Sequence, residues 1–455
     1  MPYSRHQPEL TVLHQVVRQH LAGFLRTLKE EAGAVPAFIT RAWRSYLLCG
    51  LGGAGFARLR CESCLHDHIV CFSCKTRQLC PSCAGRAMAD GASHLVDRVF
   101  PDVNVRQYVL AFPFELWGML AYQPALVNAA QKIFCDAIQK WHQQRAKEYA
   151  LPDGKTGGVA VLHRFGSGLN VMPHVHALLL DGVYTPDAVF HRFAPPDATH
   201  LEELCRSISV RVLAMLKRRG ALKEEEKQDA LAACTQLALF SGERVGGDEE
   251  DAPRPTSAKS ANKLCAVVDG FNLEATTTVK QGDREALERT CRYLLRGPLA
   301  LDRLKFDEET ETIRYALKRP DRRGKTHLVM TPAELFARMT ALIPSPRLCL
   351  RRTFGVLASG SSLRKRVVPK STPRNHSHTL HPPEQKPGES PPTRTPWAEL
   401  IARCFDGADA LKCTHCGKRM AVLAIIRDRK EAQRFLEGRA DDAEPPAQGR
   451  IRGPP

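Results

Sequence analysis

The chain lacks any uncharged apolar run that is long enough for a helix to span a bilayer. Its first ten residues are polar and lead into an amphipathic stretch, so no signal-peptide core is visible. From these two absences we expect no membrane association and a reducing, cytoplasmic environment. In that environment, closely spaced pairs among the 16 cysteines favour metal binding over disulfides.

Acidic residues are too few to balance the basic ones, with 49 Asp and Glu against 66 Lys and Arg. The resulting net charge of +17 predicts a polyanionic partner, for which nucleic acid is the first candidate. The alternative is a soluble basic protein with a solvated positive surface. The length of 455 residues is typical of about two to three domains.

Hydrophobic periodicity predicts an α+β protein in four parts. We expect an N-terminal helical and cysteine-rich domain at 1–104 and a large domain of mixed helix and strand at 105–360. A basic, disordered linker at 361–396 and a small cysteine-containing module at 397–440 follow. The predicted strands are Val105–Phe112, Gly158–Leu162 and His174–Leu180, and the predicted helices are Glu9–Glu31, Trp43–Leu48, Pro124–Tyr149, Leu201–Leu237 and Asp283–Arg296.

A dense cysteine cluster between Cys61 and Cys83 predicts structural zinc. Two thiolates on each tight turn can reach one tetrahedral ion, and a closed four-cysteine site leaves no open position for catalysis. The favoured ligands are the outer pairs, with the middle pair as alternates and His66 and His68 as further substitutes. The favoured set is Cys61, Cys64, Cys80 and Cys83, and the alternates are Cys71 and Cys74.

Two weaker interpretations of the cysteines stay open. The thiols of the cluster could instead be packed as small hydrophobic groups. Cys413 and Cys416 form a half-complete knuckle near Cys404 and His415, and this pair needs partners from elsewhere.

A histidine pair begins the apolar run His174–Leu180. Residues two apart on a strand share a face, so His174 and His176 would lie side by side while Val175 packs in the core. His163 ends the preceding strand candidate and would lie within reach of the same metal ion. The alternative is that each is a buried histidine with satisfied hydrogen bonds.

The predicted helix Asp283–Arg296 carries a tyrosine between two arginines. Arg289, Tyr293 and Arg296 follow one another at i, i+4 and i+7, beside the apolar stripe of the helix. Such a tyrosine can meet a phosphodiester, and the arginines would favour its phenolate and bind DNA. The commoner role of such a residue is at the edge of a helix–sheet interface.

Taken together, these segments make the chain resemble the rolling-circle transposases of the insertion-sequence ninety-one family and the related common-region elements. The resemblance covers about residues 10 to 430 and depends on several motifs in the family's order. They are Cys61–Cys64, Phe72–Lys75, Cys80–Cys83, Arg164–Ser167, Leu169–Asn170, Pro173–His176, Asp181–Tyr184, Cys291–Leu295, Pro298–Leu304, Tyr315–Lys318, Thr326–His327 and Gly355–Ala358.

The resemblance implies an HUH endonuclease core, in which helices flank a central antiparallel sheet. It implies that His174 and His176 bind magnesium or manganese, and that Tyr293 attacks single-stranded DNA at transposon ends. Where relatives often have glutamine this chain has His163, which suits a third metal ligand equally well. The product would be a 5′-phosphotyrosine link with a free 3′-hydroxyl. Arg289 and Gly297 stand four residues from Tyr293, so the chain resembles a one-tyrosine member.

The resemblance also implies a bacterial cytoplasmic protein associated with the nucleoid, and it leaves the oligomeric state open. Two other functions remain as alternatives. One is a zinc-containing DNA-binding protein without catalysis, and the other is a replication or conjugation nickase with the same chemistry.

Overall fold

The computed structural model describes residues 7–221, 230–240, 264–320, 324–369, 409 and 411–436. Within these ranges the helices are α1 (Val12–Ala32), α2 (Ala37–Leu47), α3 (Pro81–Arg98), α4 (Trp117–Tyr122), α5 (Pro124–Glu148), α6 (Ala198–Arg218), α7 (Ala230–Phe240), α8 (Arg284–Leu295), α9 (Pro332–Leu342), α10 (Arg364–Val367) and α11 (Arg429–Leu436).

The strands described in the same ranges run from β1 to β15. They are β1 (Phe56–Cys61), β2 (Asp67–Cys71), β3 (Val105–Ala111), β4 (Gly157–Phe165), β5 (Val171–Leu180), β6 (Gly182–Tyr184), β7 (Phe190–Arg192), β8 (Cys265–Val268), β9 (Phe271–Glu274), β10 (Thr278–Val279), β11 (Leu304–Asp307), β12 (Thr312–Ala316), β13 (His327–Met330), β14 (Arg351–Gly355) and β15 (Met420–Ile426).

A seven-stranded sheet forms the centre of the molecule, in the order β14-β4-β5-β3-β9-β8, with β10 paired to β3. Every pairing in this sheet is antiparallel. The central strands β3, β4 and β5 are buried along their whole length, because helices cover both faces.

Alternation along β4 and β5 sends successive side chains to different cores. One set packs with helices α5 and α6, and comprises Ala160, Leu162, Val175, Ala177 and Leu179. The other set packs with α3 and α8, and comprises Val159, Val161, Leu178 and Leu180. Helices therefore flank the sheet on both sides, and this confirms the predicted α+β class with a central antiparallel sheet.

The N-terminal helices share a core with later parts of the chain. Leu13 and Trp43 pack with Tyr315 and Phe336, from β12 and α9, in one buried cluster. Trp43 also donates a hydrogen bond from Nε1 to Thr340 Oγ1 over 3.1 Å. The predicted boundary at residue 104 therefore does not separate two independent cores.

A small sheet joins the two ends of the chain. Its order is β15-β1-β2, so the strand from the predicted C-terminal module pairs antiparallel with β1. The pairing runs from Phe56 opposite Ile426 to Cys61 opposite Met420. The described part of the predicted 397–440 module is thus an edge strand of the N-terminal cysteine-containing region.

Local sequence signals mark the starts of several helices. Thr11 accepts a hydrogen bond from the His14 N–H at the start of α1. Thr331 and Glu334 form a capping box at the start of α9. Pro81 occupies the first turn of α3, where a missing N–H is harmless.

Two sequence predictions about order need correction. The predicted helix Leu201–Leu237 is not continuous, because α6 ends at Arg218 and Gly220 takes a positive φ of 69°. The predicted disordered linker begins too early, because α10 follows residue 361 and its Val367 is buried beside α3 and α8. Residues 370–396 of that linker lie outside the described residues.

Among the helices of the described ranges, none combines the length and hydrophobicity that a bilayer crossing requires.

Candidate active site and metal centres

A tight hairpin between β4 and β5 assembles the three predicted histidines. His163 on β4 lies directly opposite His174 on β5, and His176 follows two residues later on the same face. The turn depends on Gly166, because a Cβ there would lie 2.4 Å from Oδ1 of Asn170. Strand alternation and this short turn therefore place all three rings on the α3–α8 side of the sheet.

The three imidazoles form a compact buried cluster. Their ring centroids are 4.5 Å (His163 to His176), 4.9 Å (His174 to His176) and 5.2 Å (His163 to His174) apart. One ligand nitrogen of each ring lies within 4.8 Å of those of the other two. The rings are therefore close enough to converge on one metal ion.

Hydrogen bonds from the opposite ring nitrogens hold the rings in place. His163 Nε2 donates to the Leu294 carbonyl over 2.8 Å, and His174 Nδ1 donates to the Met172 carbonyl over 2.9 Å. The Gln107 amide nitrogen Nε2 donates to His176 Nδ1 over 3.0 Å and orients that ring. For His163 and His174, the outer hydrogen bonds also fix the tautomer in which the other ring nitrogen can be a metal ligand.

His176 is held uncharged, as a metal-binding histidine must be. Burial, followed by the nearby His163 and His174, holds the pKa of His176 well below its ordinary value. Its buried Nε2 has no hydrogen-bond partner among the described residues. Neutral imidazoles suit transition metals such as zinc, iron and nickel, whereas magnesium prefers oxygen ligands.

Helix α8 places Tyr293 next to this cluster. The helix buries Leu287, Cys291 and Leu294 against α3, and that packing sets its rotation. The half-buried Tyr293 then presents its ring edge-on to His176, with 5.8 Å between centroids. Residues 117 positions apart in sequence thus share one site.

Two cations flank the tyrosine ring. The Arg296 guanidinium lies 4.9 Å from the Tyr293 ring centroid and also covers Phe165 at 5.3 Å. The exposed Lys318 ammonium lies 5.8 Å from the same tyrosine centroid. Sequence reasoning missed Lys318 as a site residue, although the Tyr315–Lys318 motif contained it.

The other predicted DNA-binding residue has a different position. Arg289 is exposed on α8 and lies 3.8 Å from Glu285 in an i, i+4 ion pair. Such a surface pair adds little stability, so this arginine stays available to solvent and to a phosphate.

A first four-cysteine cluster lies in the core that contains the N-terminal helices. It consists of Cys49, Cys74, Cys80 and Cys83. The Cys83 sulfur lies 3.6 Å from Cys49 and 3.5 Å from Cys74, and the Cys80–Cys49 distance is 3.7 Å. Tetrahedral zinc with Zn–S bonds of about 2.3 Å requires sulfurs about 3.8 Å apart, and a disulfide about 2.05 Å. The spacing therefore fits a structural zinc ion.

The predicted zinc ligands are not the set that the structure brings together. Cys61 and Cys64 lie at the turn of the β1–β2 hairpin, whereas Cys80 and Cys83 lie beyond its open end. Five strand residues separate these positions by about 17 Å, too far for one ion. Of the alternates, Cys74 joins the first cluster and Cys71 joins neither cluster.

Sequence reasoning also missed Cys49, which follows α2 and has no partner at short spacing. The structure places it beside the Cys71–Cys74 segment, where the Cys74 N–H donates to its sulfur over 3.3 Å. Cys61 and Cys64 instead lie with Cys413 and Cys416 in a second four-cysteine cluster.

Comparisons with known proteins match two parts of the chain. Residues 16–112 match a family model described as "Transposase zinc-binding domain", and residues 157–365 match one described as "Putative transposase". A relative from Pseudomonas savastanoi pv. phaseolicola, "Transposase for insertion sequence element IS801", is 24% identical over 382 residues. The match covers 84% of this chain and 82% of the relative. No solved structure gives a significant match.

The α+β fold, the first cysteine cluster and these matches define a transposase with a structural zinc-binding domain, and hence a protein that acts on DNA. The chain belongs to the insertion-sequence ninety-one family of transposases.

Proposed function

We propose that this transposase cleaves and rejoins single-stranded DNA at the ends of a mobile element through a covalent link to Tyr293. The observation that carries the proposal is the edge-on contact of Tyr293 with His176, 5.8 Å between centroids, beside three clustered histidines. The net charge of +17 favours a DNA substrate. The name of the relative, which refers to an insertion sequence element, supports a role in transposition.

Different residues of the chain would bind the metal ion and the DNA. His163, His174 and His176 would hold a divalent ion, with manganese preferred over magnesium by the donor set. Such an ion, when bound, supplies Lewis acidity toward an oxygen of the scissile phosphate. Arg296 and Lys318, which both lie close to the tyrosine ring, would bind phosphate oxygens and orient the strand.

The proposed reaction is a balanced exchange of two phosphoester bonds. The Tyr293 oxygen forms a bond to phosphorus while the bond from phosphorus to the 3′ oxygen breaks. The tyrosine proton leaves to water, and the 3′ oxygen takes up a proton to become a free hydroxyl. Because the phosphotyrosine ester preserves the bond energy, a 3′-hydroxyl can reverse the step without a cofactor.

The test is formation of an SDS-resistant protein–DNA adduct on labelled DNA from the element's ends, in the presence of manganese. We expect an adduct with single-stranded DNA and much less with the same sequence as a duplex. We expect Tyr293→Phe and His176→Ala each to reduce the amount of adduct by about 100-fold or more. Tyr149→Phe is the matched control, because Tyr149 is a solvent-exposed tyrosine at the end of α5.

Each other outcome would overturn part of the proposal. An adduct that survives Tyr293→Phe would move the chemistry to another tyrosine. Salt-sensitive DNA binding without any adduct would favour a DNA-binding protein that does not cleave DNA.

A further inference from the structure

The second cysteine cluster consists of two cysteine pairs that are far apart in the sequence, Cys61 with Cys64 and Cys413 with Cys416. Its sulfurs lie 3.4 Å (Cys61 to Cys416) and 3.6 Å (Cys64 to Cys413) apart, and all four lie within 4.8 Å of one another. These distances are close to the 3.8 Å or so of tetrahedral zinc and much longer than a disulfide. The Cys64–Cys413 contact spans 349 positions of sequence.

The two halves of this cluster have the same backbone geometry. In each half, the N–H after the second cysteine donates to the carbonyl of the first, over 2.9 Å (Leu65 to Cys61) and 3.0 Å (Gly417 to Cys413). In each, that following residue has a positive φ, 58° for Leu65 and 73° for Gly417. Leu65 adopts this unfavourable conformation without being a glycine, so the turn is held by its surroundings.

Matching hydrogen bonds close both turns. The Cys61 N–H donates to the His66 carbonyl over 3.0 Å, and the Cys413 N–H donates to the Lys418 carbonyl over 2.7 Å. Two equivalent turns thus present their four sulfurs to one point.

The local hydrophobic core is too small to hold the C-terminal strand firmly by itself. Four buried side chains form it, and two of them are cysteines of the cluster: Leu59, Cys61, Cys413 and Met420. Small segments of this kind commonly depend on a metal for stability. The strand register, which sets Cys61 opposite Met420, brings both turns to the same end of the sheet.

We propose that Cys61, Cys64, Cys413 and Cys416 bind a second structural zinc ion that clamps the C-terminal segment onto the N-terminal zinc-binding domain. Cys413 and Cys416 lie outside residues 16–112 and 157–365, which the family models match. The zinc-binding domain of this chain is therefore completed by a segment from its other end.

Zinc content of the full-length protein, purified under reducing conditions, tests the proposal. The measurement is made in a His176→Ala background, so that the histidine cluster does not add a third zinc ion. In that background we expect two zinc ions per chain, and one after the further double substitution Cys413→Ser, Cys416→Ser. The matched control is Cys349→Ser in the same background, which changes a half-buried cysteine outside both clusters and retains two ions. One zinc in the folded His176→Ala protein, or two after the double substitution, would overturn the proposal.

A second measurement keeps the proposal testable if the variant fails to fold. Trypsin is added to the wild type before and after graded chelation, and cleavage at Lys418 and Arg419 is followed by mass spectrometry. We expect Lys418 and Arg419 to be protected while both zinc ions are bound. Because Cys416 is exposed, the chelator should remove the zinc of the second cluster first, and cleavage at these two residues should begin when that ion is lost. Cleavage there that does not depend on zinc would contradict a metal clamp.

Discussion

The two cysteine clusters differ in how they connect to the side of the central sheet that carries the three histidines. The first lies in the large core with Trp43 and Tyr315, and its Cys80 and Cys83 lie at the start of α3. The second lies at the end of a three-stranded sheet, and its Cys416 is exposed.

The difference shows that two sites with the same ligands can have different structural roles. Helix α3 runs from the first cluster to α8, and the helices touch closely at Gly91, where an added Cβ would lie 2.7 Å from Leu295 Cδ1. Leu295 is two residues from Tyr293, so we expect the first cluster to help to position the proposed nucleophile. The second cluster would hold only the C-terminal segment.

The largest effect is expected from Cys80→Ser. This change removes one ligand of the first cluster, and we expect the loss of one zinc ion and about 5 kcal/mol or more of unfolding free energy. Adduct formation at Tyr293 should be lost as well. Thermal unfolding with zinc analysis measures the effect, and Cys71→Ser, outside both clusters, serves as the control. A Cys80→Ser protein with wild-type stability would contradict the structural role of the first cluster.

A smaller effect is expected where α3 meets α8. Gly91→Val introduces methyl groups against Leu295, so we expect a loss of about 1–3 kcal/mol from overpacking. We also expect adduct formation to slow about 10-fold or more, because small displacements of a reacting group are costly. Gly85→Val on the same helix is the matched control, since nothing lies within 4 Å of its added Cβ. Equal adduct rates in the two variants would mean that α3 does not position Tyr293.

The smallest effect on the stability of the central sheet and on adduct formation is expected from Cys413→Ser. This variant should lose the second zinc ion but retain the unfolding free energy of the central sheet within about 0.5 kcal/mol. Its adduct rate should stay within about twofold of wild type. Hydrogen exchange of the central strands and the adduct assay measure both quantities. Loss of the adduct here would show that the second cluster also supports the active site.

The histidine site could be anticipated from sequence because its geometry is local. His163, His174 and His176 lie on two adjacent strands of one hairpin, so strand alternation alone predicts a shared face. The predicted strand Val105–Phe112 and helix Pro124–Tyr149 match β3 and α5 to within one residue. Clear periodicity and turn residues explain this agreement.

The cysteine ligands could not be assigned from sequence because tertiary contacts choose them. Cys49 has no partner at short spacing, and only the packing of α2 beside Cys74 brings it to the first cluster. Cys61 and Cys64 find their partners through the pairing of β1 with β15, more than 340 positions later. Spacing shows that a pair exists, but not which other pair completes the site.

The most direct test of the account is to map the DNA attachment by mass spectrometry. The adduct formed with single-stranded element-end DNA is trimmed with nuclease and digested with trypsin, which cleaves after Arg292 and Arg296. We predict a nucleotide phosphate on the peptide Tyr293–Arg296, attached to the tyrosine oxygen. A nucleotide on a different tyrosine, such as Tyr184 or Tyr315, would contradict the assignment of Tyr293 as the nucleophile.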